Sequence, residues 1–211
     1  DLNDENKVNA AIDLIIKKCR KIDCLINAAG FTGQDMLKTN VNFFEKFEKY
    51  NFQLWQKSLN GNLSSVFLVT KSVAKYMIKR KKGSIVNIAS DVGIISPDHR
   101  IYEPNKKFNY KGVNFNTPIS YSVAKSGIIS MTRYLATYWA KKGIRVNCVS
   151  PAGVYQKIHN KKFVEQLSQR IPLGRMAKSN ELNGAVIYLC SNASSFVTGH
   201  NLVVDGGRTI W

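Results

Sequence analysis

The run Ser84-Ile85-Val86-Asn87-Ile88-Ala89-Ser90 is apolar at most positions and ends on a hydroxyl. A half-exposed strand alternates apolar and polar residues; a nearly continuous apolar run suits a parallel strand with helices over both faces. Cys24 to Asn27, Arg145 to Val149 and Leu202 to Val204 have the same character. Helical patterns fill the intervals, at about Val8 to Cys19, Trp55 to Arg80, Tyr121 to Lys142 and Glu181 to Cys190. Gly83 and Gly143 each stand between a helix end and the next run, where glycine accepts the left-handed conformation that closes a helix. Strand and helix in alternation predict a doubly wound parallel α/β sheet. The 211 residues, 44% of them hydrophobic, fit one domain over 1–211 with a sizeable core.

Composition narrows the function classes. No apolar run approaches the roughly 20 residues that span a bilayer, so a membrane protein is excluded. The opening Asp1-Leu2-Asn3-Asp4-Glu5-Asn6 is polar and carries no signal-peptide pattern. Cys19, Cys24, Cys148 and Cys190 are scattered without C-x-x-C spacing, which argues against a zinc site and fits a reducing cytoplasm. No metal is expected. The net charge is +17, but the lysine runs Lys79-Arg80-Lys81-Lys82 and Lys141-Lys142 fall at helix ends, where cations suit the dipole. With no nucleic-acid-binding motif beside them, charge alone is a poor case for a nucleic-acid partner.

Residues 91–120 break the rhythm. Pro97, Pro104 and Pro118 with many Asn, Lys and aromatic residues read as a long loop at the carboxyl end of a strand. Such loops carry function, and the carboxyl ends of strands are where open α/β sheets bind ligands. Between Ser96 and Thr117 lie His99, Arg100, Lys106, Lys107 and Lys111 against Asp98 and Glu103. Arg100 could bind a phosphate or carboxylate in bidentate fashion; Tyr102, Phe108, Tyr110 and Phe115 could stack on a sugar or base.

Tyr121-Ser122-Val123-Ala124-Lys125 holds the chemistry. Tyr and Lys at i and i+4 share a helix face. A phenol ionises near pH 10, and a nearby ammonium lowers that value toward one useful to a general acid or base. Ser90 would face the ligand crevice and could hydrogen-bond a carbonyl. Asn27-Ala28-Ala29-Gly30 ends an earlier strand with small residues that admit a flat ligand, and Asn62 lies in the long helical stretch.

At these residues the chain resembles the short-chain dehydrogenase/reductase superfamily, which is Rossmann-like and NAD(P)-dependent. The matching stretches run almost end to end, and include Asn62-Leu63, Arg145-Val146-Asn147, Pro172-Leu173-Gly174-Arg175, Thr198-Gly199 and Val204-Asp205-Gly206-Gly207. The resemblance implies a catalytic tetrad. Tyr121 is its general acid/base. Lys125 lowers the phenol pKa and holds the nicotinamide ribose. Ser90 orients the substrate carbonyl or hydroxyl, and Asn62 holds a water of the proton relay. It also implies that Asp1, Asn27, Ala28 and Gly30 line the adenosine side of NAD or NADP, with Pro151, Gly153 and Val154 toward the nicotinamide. Ser90, Arg100 and Tyr121 are the substrate-binding candidates. A homodimer or homotetramer is implied, formed by the Trp55–Arg80 and Tyr121–Lys142 helices.

The chain departs from the family's pattern in three ways. The glycine-rich phosphate loop and the family's first strands would precede Asp1, so the chain is expected to lack its natural N-terminus. The 31 positions from Ser90 to Tyr121 are more than twice the usual gap. Gln156 stands where a threonine commonly meets the nicotinamide carboxamide. The insert, Ser150-Pro151-Ala152-Gly153 and the Asp205–Trp211 tail resemble a subgroup associated with bacterial surface-sugar and flagellin-glycan pathways. The expected function is hydride transfer between nicotinamide and a carbonyl/alcohol substrate, with an anionic sugar derivative favoured by the charge. The rival reading is an inactive binding or scaffold protein that keeps the fold.

Overall fold

The computed structural model describes residues 1–31, 44–102, 109–110, 113–114, 116–157 and 159–211. The first helix, α1 (Glu5–Cys19), is capped by the Asp4 carboxylate, which accepts from the Lys7 amide at 3.1 Å. It ends at Arg20, whose φ of 65° is left-handed. Strand β1 (Cys24–Asn27) follows. The stretch read as one helix from Trp55 to Arg80 is three pieces: α2 (Phe52–Leu59), a π-helical segment (Asn60–Ser64) and α3 (Ser65–Arg80). Then come β2 (Gly83–Ile88), the short β3 (Asn109–Tyr110) and β4 (Val113–Asn114), α4 (Ile119–Trp139), β5 (Ile144–Pro151), α5 (Lys161–Ser168), α6 (Asn183–Cys190) and β6 (Asn201–Val204).

Strands β1, β2, β5 and β6 form one parallel sheet in the order β1-β2-β5-β6. Successive residues of a strand face opposite sides, and both sides are covered. Ile85 and Val146 meet Val8 and Ile12 of α1, Val73 and Met77 of α3, and Trp139 of α4. Val86 and Val149 meet Leu189 of α6 on the other side. This is the doubly wound α/β arrangement.

A polar chain crosses the first side. The Asn27 amide donates to Thr70 at 2.9 Å and to Asn87 at 2.8 Å, and Asn87 donates to Thr132 at 2.9 Å. All four residues are buried, and each bond joins a strand to a helix or to its neighbour. Buried amides are tolerated when they find partners in this way.

The insert is not structureless. Asp91–Gly93 and His99–Tyr102 are 3₁₀ turns, and β3 and β4 pair as an antiparallel ribbon. Lys106, Lys107, Phe108, Lys111, Phe115 and Glu103 lie outside the described residues, so the proposed basic and aromatic lining is not located at those positions. Helix α5, which has no counterpart in the sequence reading, covers the root of the insert: Leu167 joins Ile101, Ala152, Ile171 and Met176 in a separate cluster.

Candidate active site

Ser90 closes β2 with extended backbone, φ −166° and ψ 157°. The Ala89 amide still donates to Val149 at 2.8 Å, so the strand holds its course to the last residue before the serine. The chain then turns sharply through Asp91–Gly93. Gly93 permits contact with α4: a Cβ there would stand 2.8 Å from the Lys125 carbonyl carbon. Ser126 Oγ donates to the Gly93 carbonyl at 3.0 Å and fastens the turn to the helix. This contact brings the Ser90 hydroxyl beside Tyr121.

Lys125 is buried one turn along the same helix face. Its Nζ donates to the Ile88 carbonyl at 2.8 Å and lies 5.5 Å from the centroid of the Tyr121 ring. Burial lowers the ammonium pKa to about 8. The sequence reading expected this cation to lower the Tyr121 pKa. Instead the phenol is pushed above its ordinary value, because loss of solvent outweighs the Ser90 hydrogen bond, and Asp91 and Tyr102 push in the same upward direction. The ammonium sits over the ring and is directed at Ile88, not at the phenol oxygen.

Asn62 is the π-helical residue with a buried side chain. A π turn interrupts the regular helix ladder and is found frequently at functional sites. Its amide donates to the carbonyls of Ser58 at 3.0 Å and Phe31 at 3.1 Å, and its Oδ1 accepts from the Phe31 amide at 3.0 Å. Gly61 makes this contact possible: a Cβ at that position would meet the Phe31 Cβ at 2.6 Å. Asn62 therefore clips the segment after Ala28-Ala29-Gly30 to the helix.

The other candidates separate. Ala28 and Gly30 are exposed beyond the end of β1, as a ligand-facing turn requires. Asn27 turns its side chain inward, the amide spent on Thr70 and Asn87, which leaves its backbone as the part that can line the adenosine side. Asp1 is exposed and accepts from the Asn3 amide at 2.9 Å. Pro151, Gly153 and Val154 leave β5 at its carboxyl end, on the same edge of the sheet as Ser90. Arg100 pairs with Asp98 at 2.8 Å, and Asp98 also accepts from Arg170 at 2.6 Å, so the guanidinium proposed to meet substrate already has a carboxylate beside it.

Two residues at the site had no signal in the sequence. Asp91 Oδ1 accepts from Ser90 Oγ at 2.9 Å and from the Val92 amide at 2.8 Å, while its Oδ2 accepts from Arg208. Arg208 is far along the chain, and nothing local marks it. A cavity of about 960 Å³ opens beside the site, between Ile94, His99, Asn116, Thr117 and the Ser122 flank of α4. None of Asn62, Ser90, Tyr121 or Lys125 lines it.

Among the described residues no helix is long and apolar enough to cross a membrane, and no group of three or more His, Cys, Asp or Glu is placed to hold a metal ion.

The pattern described as short chain dehydrogenase matches residues 1–104, and that described as Enoyl-(Acyl carrier protein) reductase matches residues 107–209. A 3-oxoacyl-(acyl carrier protein) reductase of Thermotoga maritima is 33% identical over 213 residues, covering 100% of this chain and 75% of the relative. A D-threitol dehydrogenase of Mycolicibacterium smegmatis is 30% identical, covering 100% and 72%. Among solved structures, a short chain dehydrogenase from Leptospira borgpetersenii with bound NAD+ superposes with a TM-score of 0.84 at 32% identity, over 100% of this chain and 74% of that one. A gluconate 5-dehydrogenase from Burkholderia cenocepacia in complex with NADP and tartrate gives 0.79 at 29% identity, over 99% and 73%.

Proposed function

This chain belongs to the short-chain dehydrogenase/reductase family, and from that premise we propose that it is an NAD(P)-dependent oxidoreductase acting on a carbonyl/alcohol pair, with Tyr121 as general acid/base. The observation that carries the proposal is the buried Lys125 beside Tyr121 and Ser90 at the carboxyl end of β2. A buried ammonium is costly unless something occupies its donors. Of its three N–H groups, one goes to Ile88. The other two fit the vicinal hydroxyls of a nicotinamide ribose, so the residues present fit the nucleotide.

The bound nicotinamide, of NAD or NADP, supplies or accepts the hydride. Tyr121 delivers the proton to the carbonyl oxygen in reduction and removes it in oxidation. Ser90 hydrogen-bonds that oxygen and fixes its distance from the phenol. Lys125 holds the ribose, and its charge near the phenol favours the phenolate formed in turnover. Asn62 braces the turn that faces the nucleotide and, with its amide hydrogens spent on Ser58 and Phe31, holds the relay water as an acceptor. Ala28 and Gly30 line the adenosine side, with Asp1 at the adenine and Pro151, Gly153 and Val154 at the nicotinamide.

The finer reading is an anionic substrate, such as a phosphorylated or nucleotide-linked sugar, met by the basic insert and Arg100 in the cytoplasm. The functional unit is a homodimer or homotetramer joined through α3 and α4.

Tyr121→Phe tests the assignment, because it deletes the proton donor and keeps the ring. The expected loss is about 10²- to 10⁴-fold in NAD(P)H-linked reduction over a panel of carbonyl compounds, with the far-ultraviolet circular dichroism unchanged. Undiminished turnover in that variant sinks the proposal.

A further inference from the structure

The tail that follows β6 reaches Asp91, the residue next to the serine read as catalytic. Asp205 shapes it: one carboxylate oxygen accepts from the Gly207 amide at 2.8 Å and the other from the Thr209 amide at 2.6 Å. Gly206 and Gly207, at φ 66° and 93°, supply the left-handed backbone this turn needs. The chain thereby doubles back and places the Arg208 guanidinium on Asp91. Both members of that ion pair are buried. A buried ion pair is poor evidence of stabilisation by itself, since desolvating two charges cancels much of their attraction. Here it has a further consequence. Asp91 uses its remaining oxygen to accept the Ser90 hydroxyl proton. The Ser90 proton is then committed to Asp91, so Ser90, Asp91 and Arg208 are ordered in one chain, with Tyr121 beside its Ser90 end.

The structure assigns Arg208 as a positioning residue: it anchors and neutralises Asp91, which in turn fixes the direction of the Ser90 hydroxyl and shields Tyr121 from an uncompensated carboxylate. The assignment rests on the reading of Tyr121 and Ser90 as catalytic for its importance, but not for its test. Arg208 touches neither of those residues; it acts through Asp91.

The groups facing the Tyr121 phenol are Ser90 and Asp91 from the turn after β2, Tyr102 from the insert and Lys125 from its own helix. Asp91 raises the phenol pKa. Loss of the Arg208 cation exposes Tyr121 to the full Asp91 charge and raises that pKa further. Loss of the Asp91 charge leaves Arg208 as an unopposed cation and lowers it. The two single variants thus move one titration in opposite directions, an outcome that loosened packing cannot produce.

The experiment is a pH titration of the protein labelled with ¹³C at the tyrosine ζ carbon, the Tyr121 signal being identified by its loss in Tyr121→Phe. No substrate or nucleotide is needed. Arg208→Met is expected to shift the Tyr121 midpoint up by about one unit, and Asp91→Asn to shift it down by a similar amount. Arg208→Lys should restore most of the wild-type value, since it keeps the charge. Should Arg208→Met fail to fold, Asp91→Asn and Arg208→Lys decide the matter between them. Equal midpoints in Asp91→Asn and wild type, or shifts of the same sign in Arg208→Met and Asp91→Asn, overturn the assignment. Loss of activity in Tyr121→Phe beside unmoved midpoints would retain the catalytic reading and remove only the role of Arg208.

Discussion

The Lys125 ammonium donates to the Ile88 carbonyl at 2.8 Å, tying the helix that carries Tyr121 to the strand that ends on Ser90. The bond holds together the two elements that carry those hydroxyls. Lys125 is a largely buried charge.

The first prediction follows from that burial. The Lys125 pKa falls from 10.5 to about 8, so between those values the unfolded chain binds a proton that the folded protein does not. Stability from this group therefore rises with pH across that window. The shift corresponds to about 3 kcal/mol. Lys125→Met removes the effect, so the stability of wild type relative to Lys125→Met should increase by that order between pH 8 and 10.5. The comparison cancels Cys148, whose thiol burial pushes up to about 11 and which acts in the opposite sense. Urea unfolding of both proteins at pH 7 and pH 10 measures it; a pH-independent difference contradicts it.

The second prediction concerns Asn27. Its amide links Thr70 to Asn87 in the interior. Asn27→Ala leaves both partners short of a bond and opens a cavity, at a cost of about 2–4 kcal/mol. Because the side chain faces inward, the affinity of the folded protein for NAD or NADP should change less than twofold. A large loss of nucleotide affinity at unchanged stability would return Asn27 to the ligand.

The sheet was legible in the sequence because its strands are parallel and covered twice. Val86 and Val149 face α6 while Ile85 and Val146 face α1 and α3, and that demand on both sides wrote the continuous apolar runs. Tyr121 and Lys125 were legible because helical spacing is local. Arg208 was not, because its meeting with Asp91 depends on two glycines turning a tail back across the sheet. The π segment at Asn62 left only a weak trace, since Asn60, Gly61 and Asn62 are poor helix formers but nothing local announces the approach of Phe31 to Gly61. Helix α5 does carry a sequence signal: Asn160 caps it by accepting from the Lys162 amide at 2.9 Å, and Val164 with Leu167 repeats at helical spacing.

The third prediction concerns assembly. Phe67, Tyr134 and Tyr138 are 50%, 66% and 59% exposed on α3 and α4, and the two tyrosine rings stack at 5.9 Å. Aromatic side chains left in water on adjoining helices favour a partner surface. Wild type should sediment as a dimer or larger at micromolar concentration. Tyr134→Glu with Tyr138→Glu should raise the dissociation constant at least about a hundredfold. A wild-type monomer at every concentration would end the proposal.

The last prediction weighs Arg100 against its own surroundings. Asp98 accepts from Arg100 through the backbone amide, Nε and a terminal nitrogen, and from Arg170 Nε at 2.6 Å. The Arg100 side chain is 79% exposed, whereas Arg170 and Asp98 are 26% and 22% exposed. An exposed pair contributes little, so Arg100→Ala should change stability by less than about 0.5 kcal/mol. Arg170→Ala should cost more, because Arg170 also donates to the Gln166 carbonyl at 2.8 Å and joins α5 to the insert. An anionic substrate must compete with Asp98 for the Arg100 guanidinium. Arg100→Ala should then raise KM about tenfold with kcat unchanged, and flatten the salt dependence of kcat/KM. Asp98→Asn should lower KM by releasing the competition. If KM is the same in Arg100→Ala as in wild type, and salt acts on both alike, the insert binds no anion through Arg100.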